Sequence, residues 1–214
     1  MDLIHLRQEY ADAGLAEDDL AADPIEQFRS WFAAWREVAV GEPDAMVVTS
    51  ATPDGRPSIR MVLLRRFDAD GFVFFTNRES RKGREIATNP RVALLFPWHP
   101  VGRQVIVEGT AAPTDDEASD DYWVTRPRGS QIAAAASPQS QVVPDRARLE
   151  RRFDEMERRH EGQPVPRPAH WGGVRVSPDR IEFWQHRESR MHDRLVYRRD
   201  ATRSSGWRIE RLAP

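Results

Sequence analysis

The chain contains no cysteine, so neither a disulfide framework nor a thiolate metal site is open to it. That absence fits a reducing compartment, and the cytoplasm is the expected location. No run approaches the ~20 apolar residues of a membrane-spanning helix. Residues 1–23 lack an apolar core, so no secretory signal is expected. There is also no excess of charge of either sign: 32 basic residues face 34 acidic ones, a formal −2. Bulk attraction to nucleic acid or to an anionic membrane is thereby excluded as the main function. The six histidines are not spaced as ligands on a helix, and no metal is expected.

What is present is charge gathered locally. Acidic residues crowd 17–26 and 115–121, and basic residues crowd 60–66, 78–84 and 187–199. Local cationic sites in a nearly neutral chain point to small anions as ligands. At 214 residues the chain can bury one sizeable core. Residues 1–22 are polar and weakly patterned and read as a mobile arm ahead of a single domain over 23–214.

Asp23-Pro24-Ile25-Glu26 opens a helix, with Asp23 as cap and Pro24 in the first turn. Ile25, Phe28, Phe32 and Trp35 form its apolar stripe, and Gly41-Glu42-Pro43 stops it. The period then changes to that of strands, at 45–52, 58–67, 72–76, 92–97, 104–111, 173–176, 180–185, 195–199 and 207–211. A short helix is expected over 80–88. Residues 115–160 read as helical pieces broken at Pro127, Pro138 and Pro144. Many short strands at regular spacing give a mainly β (α+β) fold: an antiparallel barrel with peripheral helices.

Four constellations could carry chemistry. In Thr76-Asn77-Arg78-Glu79-Ser80-Arg81-Lys82, Ser80 is a good helix cap and two cations occupy the first turn. Cations there oppose the helix dipole, and a bound anion is the simplest compensation; a solvated basic turn is the plain alternative. In Arg60-Met61-Val62-Leu63-Leu64-Arg65, two arginines bracket an apolar stretch. A regular strand would send them to opposite faces, each needing an anion or water. Tyr122 and Arg126 share a helix face at i, i+4, Pro127 ends that helix, and Ser130 can begin the next. Phenol, guanidinium and hydroxyl suit a phosphate monoester, although a capped helix surface explains them as well. On an extended strand Arg190, His192 and Arg194 would share one face, an imidazole flanked by two cations.

Together these pieces resemble the pyridoxamine/pyridoxine 5′-phosphate oxidases of the FMN-binding split-barrel class. The resemblance runs from about residue 23 to the end. It rests on Arg60-Met-Val-Leu-Leu-Arg65, Phe75-Thr-Asn, Ser80-Arg-Lys82, Asn89-Pro-Arg-Val, Arg103-Gln104-Val, Arg126-Pro-Arg-Gly-Ser-Gln131, Phe183-Trp184-Gln185, Arg190-Met-His-Asp-Arg194 and Arg211-Leu-Ala-Pro214. The resemblance implies that FMN is held by Arg60, Met61, Val62, Leu63, Leu64, Arg65, Phe75, Thr76, Arg81 and Lys82. Gln104, Gln139, Ser140, Trp184 and Arg194 would complete that site. Arg65, Tyr122, Arg126 and Ser130 would meet the substrate phosphate. Arg190 and His192 would act over the pyridine ring, and Arg7 and Tyr10 would belong to an arm that closes as a lid. A homodimer with FMN at its interface is implied, as is oxidation of pyridoxamine or pyridoxine 5′-phosphate to pyridoxal 5′-phosphate by O2 with release of H2O2. Arg65 stands where the family usually has lysine, and His186-Arg187-Glu188-Ser189 is bulkier than the glycine-containing stretch common there. The competing expectations are a split-barrel protein that binds flavin or pyridoxal phosphate without turnover, and a deazaflavin-dependent reductase. The joint presence of Arg190, His192, Tyr122, Arg126 and Ser130 favours the oxidase.

Overall fold

Asp23 Oδ1 accepts the main-chain N–H of Ile25 at 2.7 Å and of Glu26 at 3.3 Å. Pro24, which has no N–H to lose, takes the next position, and helix α1 (Pro24–Arg36) begins. In the computed structural model, which describes residues 14–214, α1 lays Ile25, Phe28 and Trp31 into the core. Phe28 is fully buried, with ring centroids 4.8–5.0 Å from those of Phe67, Phe72 and Phe96. Burying a ring of this size contributes about 2–3 kcal/mol. This aromatic cluster fixes α1 across the mouth of the barrel.

Nine strands make up the sheet among the described residues: β1 (Ala45–Ala51), β2 (Pro57–Leu63), β3 (Arg66–Asp68), β4 (Gly71–Asn77), β5 (Arg91–Trp98), β6 (Arg103–Pro113), β7 (Trp171–Gln185), β8 (Asp193–Arg199) and β9 (Trp207–Leu212). Neighbours run β2-β1-β5-β6-β7-β4-β3, and β8 and β9 continue from β7. Every pairing is antiparallel. Alternation is clean where one face is buried: Met46, Val48 and Ser50 of β1 and Val92, Leu94, Phe96 and Trp98 of β5 all point inward. The result is the expected antiparallel split barrel with peripheral helices.

The barrel splits along β7. Its first half pairs with β4 and its second half with β8, while β6 follows it throughout. The expected strands at 173–176 and 180–185 are therefore one. Pro178 does not break it, because the pairing with β6 shifts register there: Glu108 faces Arg180 and Gly109 faces Pro178, which leaves Asp179 of β7 as an extra, bulged residue. A Cβ on Gly109 would collide with the Ser177 carbonyl oxygen, so only glycine permits this approach.

The reverse occurs at 58–67, which reads as one strand and is two. Leu64 N–H donates to the Asp44 carbonyl at 2.8 Å and Arg65 N–H to the Val73 carbonyl at 2.8 Å. The chain turns there from β2 to β3, and strict alternation between Arg60 and Arg65 is lost. Among the described residues four further α-helices lie outside: α2 (Arg81–Thr88), α3 (Asp116–Thr125), α4 (Arg128–Ala136) and α5 (Arg146–Arg159). Trp123, Ile132, Val165 and Trp171 form a second small core that seats α3 and α4 against β7.

Residues 14–22 belong to the segment expected to be a mobile arm, and they are seated on the barrel. Leu15 is buried and its N–H donates to Asp193 Oδ2 at 2.9 Å. Arg211 Nε donates to Glu17 at 2.8 Å, and the Tyr197 hydroxyl donates to the Ala21 carbonyl at 2.6 Å. Arg7 and Tyr10 lie outside the described residues.

Candidate active site

A cavity of about 1370 Å³ opens between β2, the end of β4, the start of α2, and the α3–α4 corner. It is larger than the roughly 300–1,000 Å³ of a typical small-ligand pocket. It has two cationic ends and an aromatic wall.

The first end is built on α2. Ser80 caps the helix, its hydroxyl accepting the Gly83 N–H at 3.3 Å, as its place in the sequence predicts. Lys82 is buried, and its Nζ donates to Thr76 Oγ1 at 2.8 Å and to Gln139 Oε1 at 3.1 Å. It has no carboxylate partner among the described residues. Burial, followed by the nearby Arg60 charge, pushes its amine down to about 8. Arg60 Nη1 donates to Ser50 Oγ at 2.7 Å, and Arg60 lies 3.5 Å from Glu85. Burial lowers the affinity of Arg60 for its proton, partly offset by Glu85.

Glu85 is the residue that sequence reasoning missed. It accepts from Ser50 Oγ at 2.6 Å, from Ser58, and from Arg81 Nε at 2.8 Å. Burial raises its carboxyl, but these donors outweigh that and hold it down at about 2. The Arg60, Arg81 and Lys82 cluster therefore does not lack a protein anion. The Arg81–Glu85 spacing of i, i+4 was a legible signal; Glu85 reaching Arg60 was not.

The second end lies at α3 and α4. The Phe75, Tyr122 and Trp171 rings stack, with Phe75–Tyr122 centroids 4.1 Å apart and Phe75–Trp171 centroids 5.4 Å apart. Arg126 lies 4.6 Å over the Trp171 ring. Its Nη2 donates to the Ser130 carbonyl at 3.1 Å, and its Nη1 is buried with no partner among the described residues. Burial lowers its affinity for the proton. Arg65 Nη1 donates to Asp44 Oδ2 at 2.6 Å, and its guanidinium stands 5.9 Å from the Tyr122 ring centroid. Arg65 lines the same cavity as Arg60, contrary to the opposite faces that strand alternation predicts, because β2 has already ended. Ser130 does not begin α4; it lies within its first turn, behind Pro127 and Arg128.

Met61, Val62, Leu63, Gln139 and Ser140 also line the cavity, while Leu64 is buried in the core. Gln104, Trp184 and Arg194 do not line it. They form a row across β6, β7 and β8, paired Gln104 to Trp184 and Trp184 to Arg194. Arg194 is clamped by the buried Glu182, with Nε to Oε1 at 2.7 Å and Nη2 to Oε2 at 3.1 Å.

Arg190 and His192 do not share a strand face with Arg194, because β8 begins only at Asp193. Residues Glu188–Arg190 make a tight turn in which Ser189 and Arg190 adopt φ of 53° and 61°. Left-handed backbone costs a non-glycine residue roughly 1–2 kcal/mol. The turn is tied at its ends: His192 Nδ1 accepts the Arg187 N–H at 3.1 Å, and the Arg211 guanidinium holds Asp193 at 2.5 Å. The His192 ring packs 4.7 Å from Trp184 and 5.1 Å from His186. Burial, then His186 and Arg190, lower its imidazole below the ordinary range. An Nδ1 that accepts a main-chain N–H leaves Nε2 as the protonated nitrogen of the neutral ring. Among the described residues no group of three or more potential ligands could hold a metal, and no helix is long and apolar enough to cross a membrane.

Residues 33–160 match the family profile described as pyridoxamine 5′-phosphate oxidase. Residues 171–214 match a pyridoxine 5′-phosphate oxidase C-terminal dimerisation region. The chain is 59% identical to a pyridoxine/pyridoxamine 5′-phosphate oxidase of Rubrobacter xylanophilus, over 100% of this chain and 97% of that protein. It is 53% identical to the protein of the same name from Acidothermus cellulolyticus, over 96% and 92%. The crystal structure of PhzG from Burkholderia lata, in complex with tetrahydrophenazine-1-carboxylic acid, superposes with a TM-score of 0.87 at 32% identity, covering 95% of this chain and 100% of that one. A pyridoxamine 5′-phosphate oxidase-related, FMN-binding protein of Nostoc punctiforme, at 15% identity and a TM-score of 0.70 over 91% of this chain and all of that one, shares the fold. With both profiles in order along it and relatives matched nearly end to end, the chain belongs to the pyridoxamine 5′-phosphate oxidase family.

Proposed function

We propose that the chain is an FMN-dependent oxidase that converts pyridoxamine or pyridoxine 5′-phosphate to pyridoxal 5′-phosphate, with O2 as electron acceptor and H2O2 as product. The observation that carries this reading is one cavity with two separate anion-binding ends joined by an aromatic wall. A flavin mononucleotide and a phosphorylated pyridine each bring one phosphate and one flat ring. At the α2 end, three cations against one carboxylate leave a double positive charge. A phosphate monoester carries about −1.5 to −2, so the charge is matched. The buried Lys82 amine without a carboxylate and the buried Arg126 Nη1 without a partner fit groups that await a ligand.

In this reading Arg60, Arg81, Lys82 and Thr76 hold the FMN phosphate, and Gln139 and Ser140 border it. Met61, Val62 and Leu63 offer main chain and side chain along the edge of the cofactor. Arg65, Tyr122, Arg126 and Ser130 bind the substrate phosphate. FMN held by these residues would supply the redox chemistry, the two-electron oxidation of the substrate carbon at the expense of O2. For the amine substrate, water and O2 are consumed and ammonia and H2O2 released.

Gln104, Trp184 and Arg194, with the turn carrying Arg190 and His192, lie off this cavity. They serve it if a homodimer sets them against the partner's cavity. The match of residues 171–214 to a dimerisation region supports that arrangement. Arg190 then positions the substrate. His192, neutral near pH 7, presents Nε2–H as a donor or passes a proton there. The cysteine-free composition agrees with a cytoplasmic enzyme.

Oxygen uptake by the FMN-loaded protein with pyridoxamine 5′-phosphate, together with the appearance of pyridoxal 5′-phosphate, tests the reading. A yellow protein that consumes no oxygen with either phosphorylated substrate is a binding protein, and the oxidase reading then fails.

A further inference from the structure

Asp44 lies between α1 and β1, immediately before the first strand residue. It holds the segment that carries Arg65 at two points. Its carbonyl accepts the Leu64 N–H at 2.8 Å, and its Oδ2 accepts from Arg65 Nη1 at 2.6 Å. The loop behind Asp44 is itself tethered, since Trp35 Nε1 donates to the Pro43 carbonyl at 3.0 Å. On its other side Arg65 is fixed through its main-chain N–H to Val73. Both side chains are mostly shielded, at 23% exposure for Asp44 and 32% for Arg65.

The guanidinium has five donors in a planar fork. Asp44 occupies Nη1. Nε and Nη2 have no hydrogen-bond partner among the described residues, and these two form the edge that grips two oxygens of a phosphate. A lysine carries its three donors on one nitrogen and has no planar two-donor edge to leave free, so a carboxylate that draws that nitrogen draws it away from the phosphate. An arginine at position 65 and a carboxylate at position 44 therefore form one unit.

We propose that Asp44 is a positioning residue for the phosphate-binding Arg65: it takes one arm of the fork and presents the other edge to the phosphate of the substrate. This rests on the assignment of Arg65 to the substrate phosphate. Two effects of Asp44 oppose each other. Its carboxylate repels a phosphate, and its grip removes the need to freeze a free arginine on binding. The charge is already balanced at contact by the guanidinium it holds, so the orienting effect dominates. Freezing one long side chain weakens binding by roughly 2- to 12-fold.

The test is a double-substitution cycle on the FMN-loaded protein. It reads KM and kcat for pyridoxamine 5′-phosphate by oxygen uptake, and Kd for the same compound by anaerobic titration. Asp44→Ala is expected to raise KM and Kd roughly 2- to 12-fold while kcat stays within about twofold. Asp44→Asn, which keeps an acceptor, should fall between wild type and Asp44→Ala. Arg65→Lys alone should raise both constants. Adding Asp44→Ala to Arg65→Lys should lower them again, because the lysine is then released towards the phosphate. An unmoved or lowered KM in Asp44→Ala, or effects of the two substitutions that simply add, overturns the proposal. If the wild-type protein takes up no oxygen, the oxidase reading fails while the Kd pattern still decides the pairing.

Discussion

Replacing Lys82 with methionine isolates the electrostatic part of flavin binding. The lysine stem is buried beneath α2, and methionine refills that volume without the charge. In the free protein the charged amine is costly, since burial and Arg60 pull it from 10.5 to about 8. Removing it should therefore not unfold the protein; an unpaired buried charge is replaced by an apolar group. The amine is charged below about 8 and neutral above. A bound phosphate favours the charged form, so binding above that pH must draw in a proton. Affinity for FMN should be level below pH 8 and fall as pH rises through it. A charge-assisted hydrogen bond contributes about 1.5–3 kcal/mol, so Lys82→Met should weaken FMN binding roughly 10- to 150-fold at neutral pH. The loss of affinity on the alkaline side should disappear in the variant. Quenching of flavin fluorescence by apoprotein, titrated at several pH values and fixed salt, measures both. A variant that binds FMN as tightly as wild type, or keeps the same alkaline slope, refutes the assignment of Lys82 to the phosphate.

Glu85→Gln should lose stability near neutral pH, and the deficit against wild type should shrink as pH falls. The Glu85 carboxyl drops from 4.5 to about 2 on folding, which corresponds to about 3 kcal/mol present above pH 4.5 and lost as pH falls towards 2; urea midpoints that differ from wild type equally at neutral and acid pH would contradict this. Arg190→Ala and His192→Ala should each lower kcat/KM for oxidation roughly 10²–10³-fold, at ~2–4 kcal/mol of transition-state stabilisation, while FMN content is retained. Steady-state rates after reconstitution decide it, and near-normal values in both variants remove these residues from the reaction. Asp193→Ala takes away the acceptor for Leu15 N–H and for Arg211. A cost of about 1–3 kcal/mol is expected from these two bonds, and a urea midpoint equal to that of wild type would show that the tether carries no stability.

Much of the fold is written in local sequence. Asp23 and Pro24 start α1 wherever that segment lies, because cap and proline act on their own turn. Ser80 starts α2 for the same reason, and so brings Arg81 and Lys82 to a helix N-terminus. The strand character of β1 and β5 is legible in the sequence, but their inner faces are not, because Val47, Ala93 and Leu95 on the outer face are apolar too. Residue type and spacing likewise identified Arg60, Lys82, Tyr122 and Arg126 as anion-binding candidates, since a cation in a helix first turn or beside an apolar stretch calls for an anion or water.

What tertiary structure alone decided is how those charges are partnered and which of them meet. Glu85 reaches Arg60 from another element, and Asp44, just before β1, reaches Arg65, just past the end of the paired strand β2. Periodicity carries no information about such pairs. The break at Leu64-Arg65 arises because the Leu64 N–H still bonds on the β1 side, to Asp44, whereas the Arg65 N–H bonds to Val73 of β4. The Ser189-Arg190 turn departs from a strand because ties at His192, Asp193 and Arg211 hold a backbone that neither residue prefers. Local propensity acts over one turn or one pleat. A hydrogen bond or ion pair between distant segments acts only once the chain has closed, and it then overrides propensities worth about 1 kcal/mol.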